Sequence, residues 1–357
     1  MMTVKALNRF CLLTTAPFVG LMIWLLAANF SLSLPQHTYP EPVEVDEAAI
    51  GNQMSGLLGN LDTAKKSATV TAKSIKKSIA LYRSTNDSMN QIVKIATTQA
   101  GRPAKIYDRR ITRKIGTPYS QIQSDNLAAQ LFKINAQNFK GYALKVKLKT
   151  SKGMKMVLGK DKVGEAETTL AAAKRYNAVA GVNAGGFADN RGKRYPLSTT
   201  MMNGKYISGF EPSYKDLFFV GMNKNLELIG GKYWDKGQLD KQEPLFGASF
   251  VPVLMKNGVS QSIPDKWQVS PKRAPRTVIA NYKDNQLLFL VTDGYNENGS
   301  SGATLQEMQI LLSRFGAIDG YNLDGGGSSS LIFNGRVVNK PSDGRLRPLP
   351  THFLFFK

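Results

Sequence analysis

The stretch Asn322-Leu323-Asp324-Gly325-Gly326-Gly327-Ser328-Ser329-Ser330 constrains this chain more than any other. Three consecutive glycines are costly to order, because glycine loses the most backbone freedom on folding. They persist where a backbone must adopt φ > 0 or where another group must approach it closely. Apolar residues lead in and Leu331-Ile332-Phe333 leads out, which reads as a strand end, a tight loop and a return strand. Successive N–H groups in such a loop can form an anion-binding nest, and serine hydroxyls add donors. A Gly-Ser run alone is most simply a turn. The apolar approach and the embedded Asp324 argue for a site instead.

The chain has 357 residues, with 47 basic and 26 acidic side chains and a formal charge of +21. So basic a surface favours an anionic partner. The single cysteine, Cys11, lies in the apolar N-terminal stretch, so the rest of the chain forms no disulfide and no thiolate metal site. Only His37 and His352 offer imidazoles, which excludes a His-rich zinc centre.

Residues 10–34 carry no charge and suit the roughly 20 residues that a membrane-spanning helix needs. A cleaved signal peptide would use a shorter apolar region of about 7–15 residues, although Ala27-Ala28 offers a weak cleavage site. Lys5 and Arg9 precede the stretch, and the first charges after it are Glu41, Glu44, Asp46 and Glu47. The positive-inside rule then makes residues 1–9 a cytoplasmic tail and 10–34 a transmembrane anchor of a single-pass cell-membrane protein. Everything after Leu34 is expected outside. Residues 46–100 are proline-free, with Ile50, Met54, Leu57, Leu61, Ile75 and Ile79 at helical spacing. They predict one or two long helices forming a stalk, with self-association open because the heptad is irregular. Residues 101–118 read as a linker with a basic cluster from Arg102 to Lys114, so 35–118 is taken as stalk plus basic linker.

From about 139 the texture changes. Leu144 to Lys149 alternates as a half-exposed strand does. Strand-like runs recur at 178–183, 216–222, 226–230, 250–255, 276–282 and 286–292. A helix is predicted over Gln306–Phe315, capped by Thr304 and stopped by Gly316. Strands and helices are mixed, which predicts the α+β class: a single large mixed sheet-and-helix domain over 135–357.

Four loops in that domain place polar groups at the end of an apolar run: Asn183 with Gly185-Gly186, Arg276-Thr277, Asp293-Gly294, and Asp324 with its glycines. Asn and Asp before Gly are ordinary turn formers taken singly. Four loops of one grammar suggest strand ends that converge on a site. These motifs also stand in a familiar order. Asn183-Ala-Gly-Gly-Phe187, Pro275-Arg276-Thr277, Val291-Thr292-Asp293-Gly294, Ser301-Gly-Ala-Thr-Leu-Gln-Glu307 and Asn322-Leu-Asp-Gly-Gly-Gly-Ser-Ser329 together resemble the phosphodiester glycosidase family. The resemblance covers about 140–357 and departs from the family pattern after Arg347-Pro348, where Pro350-Thr351-His352-Phe353 stand. It implies hydrolysis of a sugar–phosphodiester bond, releasing sugar and phosphomonoester.

Cleavage at an anomeric carbon passes through an oxocarbenium-like state that a carboxylate stabilises. Asp324 and Asp293 are the candidate catalytic residues, as base, nucleophile or electrostatic stabiliser. The departing phosphate ester needs donors, for which Arg276, Gly325, Gly326, Gly327, Ser328 and Ser329 are candidates. Asn183, with Gly185 and Gly186, would bind sugar hydroxyls or a phosphate oxygen. Arg276 also admits a structural ion pair with Asp293 or Asp324. No cofactor or metal is predicted, although the oxygen-rich run 293–298 leaves a divalent cation open despite failing the EF-hand spacing. A serine hydrolase lacks its G-x-S-x-G motif, and no nucleic-acid-binding signature is present. The alternative to an enzyme is a non-catalytic binder of an anionic wall or capsular polymer. The expected substrate is a cell-envelope or exopolysaccharide glycan.

Overall fold

The computed structural model describes residues 4–28, 47–294 and 301–357. They form two compact units, Met1–Ile92 and Val93–Lys357.

The first unit holds α1 (Val4–Ala27) and most of α2 (Glu47–Ile115). The apolar side chains of α1 from Phe18 to Leu26 are exposed. Among the described residues no helix is long and apolar enough to cross a membrane. The predicted anchor at 10–34 therefore has no support here, and its last residues, with the proline-rich stretch that follows, lie outside the described residues.

The predicted stalk is one helix, not two, and the predicted linker at 101–118 is mostly its continuation: α2 runs through Pro103 to Ile115. Tyr107, Ile111 and Ile115 recur every four residues and pack into the core of the second unit, while Arg102, Lys105, Arg109, Arg110, Arg113 and Lys114 stay exposed. The basic residues that suggested a linker are thus the solvent face of a packed helix. Asp108 and Thr112 lie on the inner face, where each binds the Nζ of the buried Lys145 at 2.7 Å.

The second unit begins before residue 135, contrary to the predicted boundary. Strand Ser120–Gln123 pairs with Leu127–Asn135, which in turn pairs with Lys140–Leu148, in its largest sheet. Seven strands position the site: β1 (Ala180–Asn183), β2 (Pro244–Phe250), β3 (Thr277–Asn281), β4 (Leu287–Thr292), β5 (Asp319–Leu323), β6 (Leu331–Phe333) and β7 (Thr351–Phe355). The largest sheet has eight antiparallel strands, with β4, β3 and β5 adjacent in that order at its centre. A five-stranded sheet contains β6, β1 and β7 as neighbours, and a second five-stranded sheet contains β2.

One apolar core lies between the sheets. It joins Phe289 and Val291 of β4, Ile279 of β3 and Leu323 of β5 to Val182 of β1 and Phe353 of β7. The other face of the large sheet is covered by α3 (Leu305–Phe315) and the last turns of α2. Helix α3 starts where the sequence predicts, at Thr304. Its hydroxyl accepts the Glu307 N–H while Glu307 returns to the Thr304 N–H, and Gly316 closes the helix at φ 78°. The α+β reading of the domain therefore holds.

Candidate active site

Register brings three of the predicted loops together. Thr277 of β3 lies opposite both Val291 of β4 and Leu323 of β5, so Arg276, Asp293 and Asp324 leave the same end of three adjacent strands. The backbone fixes this end. Arg276 donates its N–H to Thr292 Oγ1 at 2.8 Å and accepts the Thr292 N–H at 2.9 Å, while Gly326 donates to the Pro275 carbonyl at 2.8 Å. Neighbouring strands lie about 4.8 Å apart, so the backbones of Asp293 and Asp324, two strands apart, are separated by about 10 Å. The fourth loop joins from the neighbouring sheet, where the Asp324 N–H reaches the Ala184 carbonyl at 3.4 Å.

Asn183 does not meet its predicted role. Its side chain is fully buried, donates to the Asp324 carbonyl at 2.7 Å, and accepts from Thr277 Oγ1 at 2.9 Å and the Ser330 N–H at 3.0 Å. With amide and carbonyl both occupied, it braces the Asp324 loop rather than contacting a sugar. The brace continues inward. Ser330 Oγ lies 2.7 Å from Thr169 Oγ1, which lies 3.1 Å from Nδ1 of His352. Burial holds the His352 imidazole down at about 4, so the ring is neutral at ordinary pH and serves as a buried link in this chain.

Gly185 and Gly186 also have structural roles. A Cβ on Gly185 would meet the Cβ of Ala248 at 2.6 Å, and one on Gly186 would meet the Phe250 ring at 2.6 Å. The absent side chains let this loop lie against β2, and the Gly186 N–H is taken by the Ser249 carbonyl at 3.1 Å.

The Asp324 loop is not the open nest that its glycines suggest. Gly326–Ser328 is a turn of 3-10 helix, and Gly326 sits at φ 58°. The N–H groups of Gly326, Ser328, Ser329 and Ser330 are bonded to Pro275, Gly325, Gly326 and Asn183. Ser329 is buried, with Oγ 3.2 Å from Thr277 Oγ1, so it too braces. Ser328 differs: its Oγ is buried and makes no hydrogen bond among the described residues. The absent side chain of Gly327 leaves room for the Asp343–Arg347 pair, whose terminal atoms a Cβ there would displace.

Arg276 is 7% exposed. Its Nε donates to the Ala303 carbonyl at 3.1 Å and one Nη to the Pro271 carbonyl at 2.8 Å. Among the described residues it forms no ion pair, so the predicted pairing with Asp293 or Asp324 is not seen. Burial without a carboxylate lowers its pKa to about 10, which still leaves it cationic at neutral pH. A desolvated cation held by carbonyls retains its attraction for an anion.

Asp293 is half-buried, and burial raises its pKa above the ordinary carboxylate range. Its Oδ1 accepts the Lys340 N–H at 2.7 Å. It opens on a cleft of about 510 Å³ that Lys140, Tyr142, Ser301 and Lys340 also line. Lys340 begins a strap that crosses the site. Preceding it, Asn339 accepts from the Leu331 N–H and donates to the Ser329 carbonyl, and following it Asp343 pairs with Arg347 over Gly327. Sequence reasoning missed this strap and the bracing threonines. Thr277 adjoins a quoted motif, but nothing in the letters marks Asn339 or Lys340. Among the described residues no cluster of His, Cys, Asp and Glu is arranged to hold a metal, and residues 295–298 of the oxygen-rich run lie outside them.

Known proteins resemble this chain in sequence and in fold. The chain is 28% identical over 182 residues to the uncharacterized SPbeta prophage-derived protein YomE of Bacillus subtilis, covering 50% of this chain and 28% of that one. It is 37% identical over 137 residues to bovine N-acetylglucosamine-1-phosphodiester alpha-N-acetylglucosaminidase, covering 34% of this chain and 26% of the relative. It thus spans about a quarter of the length of these relatives. The zebrafish catalytic domain of the same glucosaminidase, auto-inhibited by its pro-peptide, superimposes with a TM-score of 0.56 at 17% identity, covering 68% of this chain and 87% of that domain. A hypothetical protein from Synechocystis matches with a TM-score of 0.50 at 15% identity, covering 68% of this chain and 64% of that one. Both share the fold. The model of the phosphodiester glycosidase family matches residues 176–356, half of the chain, and the chain belongs to that family.

Proposed function

We propose that this protein hydrolyses the bond between a sugar's anomeric carbon and the phosphate of a glycosyl phosphodiester. The observation that carries this reading is the meeting of Asp293, Arg276 and the Asp324 loop at one end of β4, β3 and β5. Family membership, and the phosphodiester glucosaminidases among its relatives, support the substrate class.

In this reading the C1–O bond breaks with its electron pair leaving on the phosphomonoester, and water adds to C1. Asp324 faces the developing positive charge of the sugar. Asp293, with its raised pKa, handles the proton of the attacking water. The leaving phosphate already departs as a stabilised anion, so it needs donors more than it needs a strong acid. Arg276 supplies the charge and Ser328 an unengaged hydroxyl.

The setting is part of the proposal. The basic balance of the chain and the acidic flank after an apolar N-terminal helix support an extracytoplasmic protein held at the cell membrane, acting on an anionic envelope glycan or exopolysaccharide. The test is phosphomonoester release by the full chain from a panel of sugar-1-phosphodiesters, with Asp324→Asn as comparison. Turnover by the parent and its loss in the variant are expected. If no phosphodiester is hydrolysed while an anionic wall polymer is retained, the chain is a binder and the enzyme reading fails.

A further inference from the structure

We propose that α2 pairs with α2 of a second copy of this chain as a parallel two-stranded coiled coil, independently of the catalytic reading. Every residue of the helix from 47 to 100 is exposed. Most of its large apolar residues fall on one seam, although Leu58, Val70, Leu81, Ile92 and Ile95 lie off it. Starting from Ile50, steps of four and three residues pass through Met54, Leu57 and Leu61, cross the small residues Ala64, Ala68 and Thr71, and reach Ile75. One additional step of four reaches Ile79, after which threes and fours resume through Tyr82, Asn86 and Met89. This is a heptad seam with a single four-residue stutter, a known local unwinding of a coiled coil. The stutter explains why a strict heptad fails on these residues. Ile75 and Ile79 remain 54% and 46% exposed, so nothing among the described residues covers the seam.

The helix also needs a partner to persist. Gly51, Gly56 and Gly59 face open space and weaken it. Ser55, Thr63, Thr69, Thr71, Thr85 and Thr97 each bond back to the carbonyl four residues earlier, a pattern that slightly destabilises helices. Helical stability of this length must come from packing an apolar face.

Charge selects the occupant and its direction. A parallel pair sets each residue before a seam position against a partner residue five places further on. Lys65 then faces Asn60 of the second copy, and Arg83 faces Ser78. In the antiparallel register that sets Lys65 opposite Arg83 of the second copy, these two cations would repel. Lys66, Lys73 and Lys77 point away from the seam, while Lys76 flanks it at the stutter. Asn86 falls on the seam, and a lone asparagine there pairs with itself in parallel dimers and specifies two strands at some loss of stability.

The experiment uses the full chain in detergent with Cys11→Ser as background. Ile79→Cys, on the seam, is expected to oxidise to a covalent dimer at least tenfold faster than Lys73→Cys, on the outer face. Sedimentation equilibrium should give twice the 39.2 kDa chain mass. Ile75→Asp with Ile79→Asp should reduce it to one chain, with the unfolding midpoint of the second unit unchanged as a folding control. A monomeric parent, a trimeric or larger parent, or equal cross-linking by the two cysteine variants would overturn the proposal.

Discussion

Replacing Asn183 by alanine separates a brace from a substrate ligand. The amide joins three partners that no other group serves in the same way: the Asp324 carbonyl, the Ser330 N–H and the Thr277 hydroxyl. Thr277 keeps Ser329 as an alternative partner at 3.2 Å. Two backbone groups are then left unsatisfied in or near a fully buried position, each costing about 2 kcal/mol. The expected loss is about 4 kcal/mol, which lowers the melting temperature of a unit this size by about 10 °C. Asp324 leaves its place with its carbonyl, so kcat should fall while KM changes little. Thermal unfolding and steady-state kinetics of the parent and Asn183→Ala read both effects. A variant with unchanged melting temperature and a KM raised tenfold or more would show that Asn183 holds substrate, and would refute the bracing role.

Three further outcomes are expected. His352 has a folded pKa near 4 against 6.5 unfolded, so its contribution is complete above pH 6.5 and is lost as pH falls toward 4, by about 3 kcal/mol; urea unfolding of His352→Gln should lack that decline. Asp293 is shifted the other way, so its folded state favours the proton. Stability should fall as pH rises from about 4 through the raised value, Asp293→Asn should flatten that slope, and kcat should drop by about 10² or more. A fragment 135–357 loses Ser120–Gln123, most of Leu127–Asn135 and the Asp108 partner of buried Lys145, and is expected to be unfolded by circular dichroism, whereas 93–357 folds cooperatively.

Elements whose signal is local were legible in the letters. Thr304, Glu307 and Gly316 bound a helix by hydrogen bonds within a few residues, so the sequence alone predicts it and the structure agrees. The central strands were readable for the same reason, as apolar runs between turn residues. The end of α2 was not, because a row of arginines looks like a linker until the sheet beneath Tyr107 and Ile111 is known.

At the site, the chain's own letters marked loops that the fold brings together: the Asp293, Arg276 and Asp324 motifs stand out by composition before any fold is known. Only the tertiary structure decided what each residue does there. Asn183 and Arg276 read alike as polar groups at strand ends, yet one has its side chain held by three partners and the other keeps a buried charge among carbonyls. The difference lies in neighbours as much as 147 residues away along the chain, and a hydrogen bond's partner across that distance is set by strand register, which no local pattern encodes.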